Sequence, residues 1–493
     1  MHKLFQTDAG GQVPLPAEKR LLPSQIVILA TLLVSLALSL VSYAEEPLVL
    51  DRFGGLKKLS FGPGPAFRTH YDGRRWWLVT PDGGAFLSIG VCVVNPTGDT
   101  ERDTNRQPYR ENVLAKYGSV EAWTTVTANR LRTWGLNTLG NWSGSELCDT
   151  FPYTKELSVS GGLWGQLGAG GLRGQKTVPD FFSPEVQAHI RDRAAAAEAT
   201  ANDPYLIGYY LDNELPWAKD WRLGSDLFPG YMALPPEAPG KQRLVEFFKE
   251  RYQTVNRFNA IWFANLKDWN DLAVRQKLIS RRPVQARRDR EAFVLLVARE
   301  YFKTATEAIR AKDPHHLILG CRFFWAIAPW PVVQACGKYC DVISINYYEA
   351  GVLGKLALWL TTSMRVRTDL TFRPFYDLAQ KPLLITEFSF RAMDSGMPNT
   401  YPPPLFIQPT VPNQMARADK FEHCVNTWIT QPYFLGYHWF EYMDEPKGGR
   451  FDGENGNYGL VNIQDEPYLP LVERLATVNR RVWTLHTTPA PSP

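Results

Sequence analysis

Cysteine and histidine are scarce in this chain, and neither is arranged for metal or redox chemistry. Its 493 residues include six cysteines (Cys92, Cys148, Cys321, Cys336, Cys340 and Cys424) and eight histidines. No Cys-x-x-Cys pair occurs, and the doublets His315-His316 and His423-Cys424 lack zinc-ligand spacing. Cys336 and Cys340 stand four apart, a poor disulfide geometry on one helix. The cysteines are therefore expected as buried, small apolar residues, and metal catalysis is disfavoured. An excess of one charge is absent too. The 54 Lys and Arg face 50 Asp and Glu, a net of +4 that carries no footprint of a nucleic-acid binder. The glycine-rich stretch GGLWGQLGAGGLRG at 161–174 lacks the Gly-Lys-Ser/Thr ending of a phosphate cradle. No cofactor is expected.

Long apolar runs are missing but for one. Residues 26–44, IVILATLLVSLALSLVSYA, follow Lys19-Arg20 and end in small residues. The run is read as an export signal, with an uncleaved N-terminal membrane anchor as the alternative, since it is just long enough to span a bilayer. The basic flank stays inside under both readings. Both predict an exported protein: periplasmic, extracellular or anchored facing outside.

Aromatic residues are plentiful: 16 Trp, 21 Tyr and 26 Phe. Many serve a core, but flat rings beside polar groups at strand ends also make faces on which sugar rings stack. Residues 45–84 are rich in Gly and Pro, and RRWWLVTPDGG predicts a hairpin around an Asp-Gly turn. Beyond them, strand candidates at 85–94, 136–142, 156–162, 205–213, 316–323, 341–348, 382–388 and 434–440 alternate with helical stretches. Ser183-Pro184 opens one helix, and 290–313 is the clearest amphipathic one. This alternation predicts an α/β chain, a (β/α)8 TIM barrel with a small N-terminal β element and a helical insertion after strand four, at 217–283. A doubly wound open sheet alternates in the same way. The expected divisions are a leader at 1–44, a β-rich segment at 45–84, the catalytic barrel at 85–485 and a disordered tail at 486–493.

The polar residues gather at predicted strand ends, where barrels keep their active sites. Strand four ends in GYYLDNELPW, which puts Asp212, Asn213 and Glu214 at the mouth of an apolar strand. Acids there are costly to desolvate unless something uses them. Strand seven ends in Thr386-Glu387, and strand six in Asn346-Tyr347-Tyr348, where alternation sets Asn346 and Tyr348 on one face. Arg322 ends strand five, Asn141-Trp142 strand two, and His438-Trp439 strand eight. Two carboxyls from different strands suit cleavage of a glycosidic bond. One must hold a proton for the leaving oxygen and the other a charge for the anomeric carbon, and burial with like charge drives their pKa values apart.

Three blocks carry a family likeness: YYLDNELPW, LLITEFSFRAMDSG at 383–396 and HWFEYMDEPKGGRFDGENGNYGLVNIQDEPY at 438–468. They resemble the large clan of retaining (β/α)8 glycoside hydrolases, and within it the exo-acting, neoagarobiose-releasing β-agarases. The resemblance implies Glu214 as acid/base, Glu387 as nucleophile, Asn213 on the sugar 2-hydroxyl, Tyr348 on the nucleophile and Trp439 as stacking floor. Asn346, Arg322, Asn141 and His438 complete the substrate-binding candidates. The implied partner is a polysaccharide or oligosaccharide with β-galactosyl linkages. Such agarases usually carry a large β-sandwich ahead of the barrel, where this chain has the short segment 45–84, and another β-galactose-containing glycan fits as well.

Other readings share these residues. A β-galactosidase, β-mannanase or β-glucosidase would use the same mechanism, and a non-catalytic carbohydrate-binding barrel would use none. Glu214 also suits a structural ion pair, Asn346 and Tyr348 an ordinary strand end, and Trp439 a core position. Asp444, Glu445, Asp452 and Glu454 lack the EF-hand order of ligands, so a solvated turn is expected in place of a calcium site. The sequon Asn141-Trp142-Ser143 is read as chance and the basic run Arg281 to Arg290 as a solvated helix entrance.

Overall fold

Short apolar runs bounded by Gly and Pro fold here into two sheets that share one stretch of chain. The computed structural model describes residues 48–164, 178–218, 226–361, 369–402 and 408–488. The apolar run 26–44 and most of the glycine-rich stretch lie outside them. Residues from Leu50 onward gather into one unit. Its first sheet is antiparallel: β1 (Leu56–Ser60), β2 (Arg68–Tyr71), β3 (Trp76–Val79) and β4 (Gly84–Phe86), in the order β1-β4-β3-β2. The hairpin read from RRWWLVTPDGG is β3–β4. It turns at Gly83, whose φ of +98° falls in the left-handed region that favours glycine.

The chain changes sheets after Phe86, so the run 85–94 serves two strands. The second sheet contains β5 (Ser88–Val91), β6 (Thr138–Leu139), β7 (Tyr153–Glu156), β8 (Leu206–Tyr210), β9 (Leu317–Ile318), β10 (Phe323–Phe324), β11 (Ile343–Tyr347) and β12 (Leu383–Phe388). A separate two-stranded pair, β13 (Arg391–Ala392) and β14 (Thr410–Val411), precedes its last strand, β15 (Phe434–Trp439). The order is β10-β11-β12-β15-β5-β6-β7-β8-β9, and every neighbouring pair is parallel. All residues of β8, β11, β12 and β15 are buried, which is why they read as continuous apolar runs and not as alternating ones.

The two edges of this curled sheet are successive pieces of one segment, Leu317 to Phe324. The Leu319 N–H donates to Tyr209 O at 2.8 Å on one side, and the Trp325 N–H to Asn346 O at 3.0 Å on the other. Gly320 (φ +84°) and Arg322 (φ +47°) interrupt the segment between β9 and β10. Helices between the strands complete a TIM-like α/β fold.

The third strand lies earlier than 156–162. Residues 157–162 run instead as a loop over the end of β8, where the Ser160 N–H donates to both Asp212 carboxylate oxygens at 3.1 Å. Helix Pro184–Ala194 starts as expected, with Ser183 Oγ accepting from the Val186 N–H. The amphipathic helix is Pro283–Arg310, two turns longer at its start than the apolar period suggests, because Pro283 opens it ahead of the arginines. Its buried face carries Phe293, Val297, Tyr301, Phe302 and Ile309. Helices Leu227–Met232, Pro239–Tyr252, Val255–Ile261 and Asn270–Ala273 lie between β8 and it.

Apolar residues near the N-terminal ends of the parallel strands (Ile207, Leu317, Leu319, Val342, Leu384 and Leu435) pack against Phe53, Phe67, Leu78 and Phe86 of the antiparallel layer. That end is filled, and the polar strand ends lie at the other. All six cysteines are free, and all but Cys148 are buried. Among the described residues no helix is long and apolar enough to cross a membrane.

Candidate active site

Glu387, the penultimate residue of β12, is held from two sides. Arg322 Nη2 lies 2.7 Å from its Oε1, and the Tyr348 hydroxyl donates to its Oε2 at 2.5 Å. Burial is the largest influence on this carboxyl and pushes its pKa up to about 7, Arg322 pulls it down, the charge of Glu214 adds to the rise, and the Tyr348 hydrogen bond lowers it again. The Arg322 Nη2 also donates to the Thr386 carbonyl at 3.1 Å. Its guanidinium lies 4.4 Å from the Trp142 ring centroid and 5.2 Å from that of Tyr210.

Glu214 follows β8 with a φ of +48°, and its N–H donates to the Arg322 carbonyl at 3.3 Å. Asn346 links this end to β12. Its Nδ2 donates to Glu214 Oε1 at 3.0 Å and to Asn213 Oδ1 at 3.1 Å, while its Oδ1 accepts from Thr386 Oγ1 at 2.7 Å. Each amide orientation is thereby fixed by its partner. Alternation along β11 puts Asn346 and Tyr348 toward the carboxylates and turns Tyr347 outward against Trp428 and Phe372. Residues 213, 214, 322, 346, 348 and 387 thus form one hydrogen-bonded and ion-paired group. Arg322 and Asn346 are fully buried and act on the carboxylates, not on open space.

Three expected substrate contacts fall elsewhere. Trp439 points away from the carboxylates, fully buried among Phe388, Phe390 and Phe421, and its indole N–H donates to Tyr458 O at 2.9 Å. It is a core residue and not a stacking floor, because the register of β15 sends position 438 inward and 439 outward. His438 is buried inside the curl, bonded through Nε2 to Ser88 Oγ at 2.8 Å. Burial, with Arg322 nearby, pushes its pKa down to about 3, so it stays neutral and reaches no sugar. Asn141 is also buried, donating from Nδ2 to Glu156 Oε2 at 2.7 Å, which leaves no room for a glycan.

Asp212 answers why an acid precedes the Asn-Glu pair. Its carboxyl accepts from the Ser160 N–H and from Tyr301 OH at 2.6 Å, tying the loop after β7 and helix Pro283–Arg310 to the end of β8. Burial pushes its pKa up to about 7.

The 441–457 segment is not the solvated turn expected. Asp444 and Glu445 are buried, and Arg450 pairs with Glu445 at 3.2 Å, Asp452 at 3.0 Å and Glu454 at 2.8 Å. Arg450 bears electrostatically on Glu387, and Glu454 bears on Glu214, so this segment borders the site. Among the described residues no group of His, Cys, Asp or Glu could hold a metal ion. Arg450 and Glu156 are neighbours that strand-end reading passes over, the first because it lies in a loop and the second because its strand is placed too late in the sequence. Trp142 is read at the end of strand two, but Asn141 beside it is the expected substrate contact.

No model of a protein family matches the chain. What it resembles is a class of polysaccharide-cleaving glycoside hydrolases, the β-agarases, as the three sequence blocks suggest. β-Agarase B of Vibrio sp. (strain JT0107) is 29% identical over 402 residues, covering 76% of this chain and 38% of the relative. β-Agarase A of the same strain is 29% identical over 473 residues, covering 82% and 44%. The chain therefore spans less than half the length of either curated relative. Among solved structures, the agarase AgWH50C aligns with a TM-score of 0.72 at 27% identity, covering 95% of this chain and 72% of that one.

Proposed function

We propose that this chain is a retaining glycoside hydrolase that cleaves β-galactosyl linkages in an agarose-like polysaccharide or oligosaccharide, with Glu387 as nucleophile and Glu214 as acid/base. The observation that carries this reading is the unlike treatment of the two acids. Glu387 is pinned by a guanidinium and a phenol, as a charged attacking group requires, while Glu214 sits half-buried at the end of another strand, bridged to it through Asn346 and Thr386. The Glu387 carboxylate attacks the anomeric carbon as the glycosidic C–O bond breaks, and the Glu214 proton passes to the departing oxygen. Glu214, now a carboxylate, takes a proton from water, whose oxygen displaces Glu387 from the anomeric carbon.

The same proposal reads the curled sheet as a closed (β/α)8 barrel. Its support is the backbone bonding of the 317–324 segment to both neighbours. The helices at 227–273 are then an insertion after strand four, 45–84 a β-rich N-terminal segment, and 26–44 the signal or anchor that directs export.

The test is chemical. Glu387→Ala should abolish hydrolysis of an activated aryl β-galactoside, and added azide should restore turnover as a glycosyl azide of inverted configuration. Glu214→Ala should slow substrates with poor leaving groups far more than activated ones. Equal loss on both, or glycan binding without turnover in the parent, would overturn the assignment.

A further inference from the structure

Trp142 stands apart from the other aromatic residues around the candidate carboxylates. Phe440 and Tyr348 are buried, whereas Trp142 is 44% exposed. One face of its ring lies on the Arg322 guanidinium, and Phe440 meets it edge-on at 6.1 Å. Its backbone φ is +61°, in the left-handed region, where a bulky side chain is a genuine outlier. The same conformation occurs at Glu214 and Arg322, so three strand ends carry it where they converge on one site. Such positions persist only where surrounding bonds over-determine them. Here the Val93 N–H donates to Asn141 O at 3.0 Å, and Ser143 Oγ accepts from the Val94 N–H at 3.1 Å, clamping the turn on both sides of the indole.

Glu156 lies next to this turn. It is half-buried and accepts from Asn141 Nδ2 at 2.7 Å and from Ser158 Oγ at 2.6 Å. Those bonds use two of the roughly four acceptor positions of a carboxylate. Its charge bears on Arg322 and on Asp212.

We infer that Trp142 and Glu156 form a sugar-binding subsite: the indole face takes the C–H face of a pyranose ring, and Glu156 accepts a hydroxyl of that ring or the next. A galactose-type ring suits the indole because its axial hydroxyl leaves the opposite face lined by C–H groups. The inference rests on the glycosidase reading and moves the stacking surface from Trp439 to Trp142. Burying one ring face against an indole fits a loss of about tenfold in affinity when the indole is removed.

The test uses full-length protein carrying Glu387→Gln, so that ligand is bound without being consumed. Affinity is measured by calorimetry for an agarose-derived hexasaccharide and for β-linked galacto-, gluco- and manno-oligosaccharides. Adding Trp142→Ala should weaken the best ligand by about tenfold or more, Trp142→Phe should retain most of the affinity, and Glu156→Gln should weaken it severalfold. A Trp142→Ala protein that binds as tightly as its parent, while the same change in active enzyme moves the pH profile, would make Trp142 a cover for Arg322 and overturn the subsite. If Trp142→Ala does not fold, Trp142→Phe against Trp142→Leu decides by the same criterion. A parent that binds none of these sugars would fell the subsite together with the functional reading, an outcome distinct from a parent that binds and a variant that binds equally.

Discussion

At Arg322 four contacts meet: the Glu387 carboxylate, the Thr386 carbonyl, and the rings of Trp142 and Tyr210. A buried guanidinium so placed sets how much of Glu387 is ionised. With burial pushing that carboxyl to about 7, kcat/KM for an activated substrate should fall as pH drops through about 7, because the protonated form cannot attack. Arg322→Gln removes the strongest influence lowering that pKa. The acidic limb should then move to higher pH and the maximal rate fall by about a hundredfold or more. A pH–rate profile of both proteins checks this, and an unmoved limb would count against Glu387 as the titrating group. The placement of Glu214, Glu387, Asn346 and Tyr348 at converging strand ends was legible from local pattern, and the structure brings the four into one hydrogen-bonded group. Trp439 was misassigned, since which of two neighbouring residues turns inward depends on a register that no local pattern reports.

Asp212 belongs to the scale of elements, for it joins the end of β8 to the loop after β7 and to helix Pro283–Arg310. Its folded pKa of about 7 lies above the ordinary 3.8, so the native state keeps a proton that the unfolded chain gives up. The Asp212 contribution to stability is therefore fully present below the unfolded value and is lost as pH rises toward about 7. Asp212→Asn abolishes this titration. Relative to the parent, its melting temperature should improve as pH rises from about 4.5 to about 7.5, on top of any pH-independent loss from the changed hydrogen bonds. Thermal melts at the two pH values check the sign. The loop itself reads as a strand in the sequence because Leu157 and Val159 alternate with polar residues, and in the structure both are buried. Regular strand pairing ends at Glu156, yet the Leu157 N–H still donates to Tyr210 O at 2.9 Å and the Val159 N–H to Leu211 O at 2.8 Å, so the loop stays bonded to the end of β8.

At the scale of the molecule, one end of the parallel sheet is filled and the other carries the carboxylates. Phe67 is fully buried in the filling cluster, so Phe67→Ala should cost about 3–5 kcal/mol of stability while leaving kcat per folded molecule near the parent value. Denaturant melts and active-site titration separate the two effects. Joining the sheet's edges makes a different demand. A Cβ on Gly208 would stand 2.2 Å from the Leu317 carbonyl oxygen, where β8 meets β9. Gly208→Ala should therefore destabilise the fold by about 1–3 kcal/mol, with loss of activity, since the bond between Glu214 and the Arg322 carbonyl lies along the same seam.

The amino-acid sequence alone determined that strands alternate with helices and which polar residues stand near the strand ends, because apolar period, caps and turn residues act over a few positions. The close approach of Arg322 to Glu387, the outward turn of Trp439 and the open face of Trp142 were decided only in three dimensions. Each depends on strand register and on backbone turns clamped by neighbours from distant parts of the chain, which no local stretch encodes.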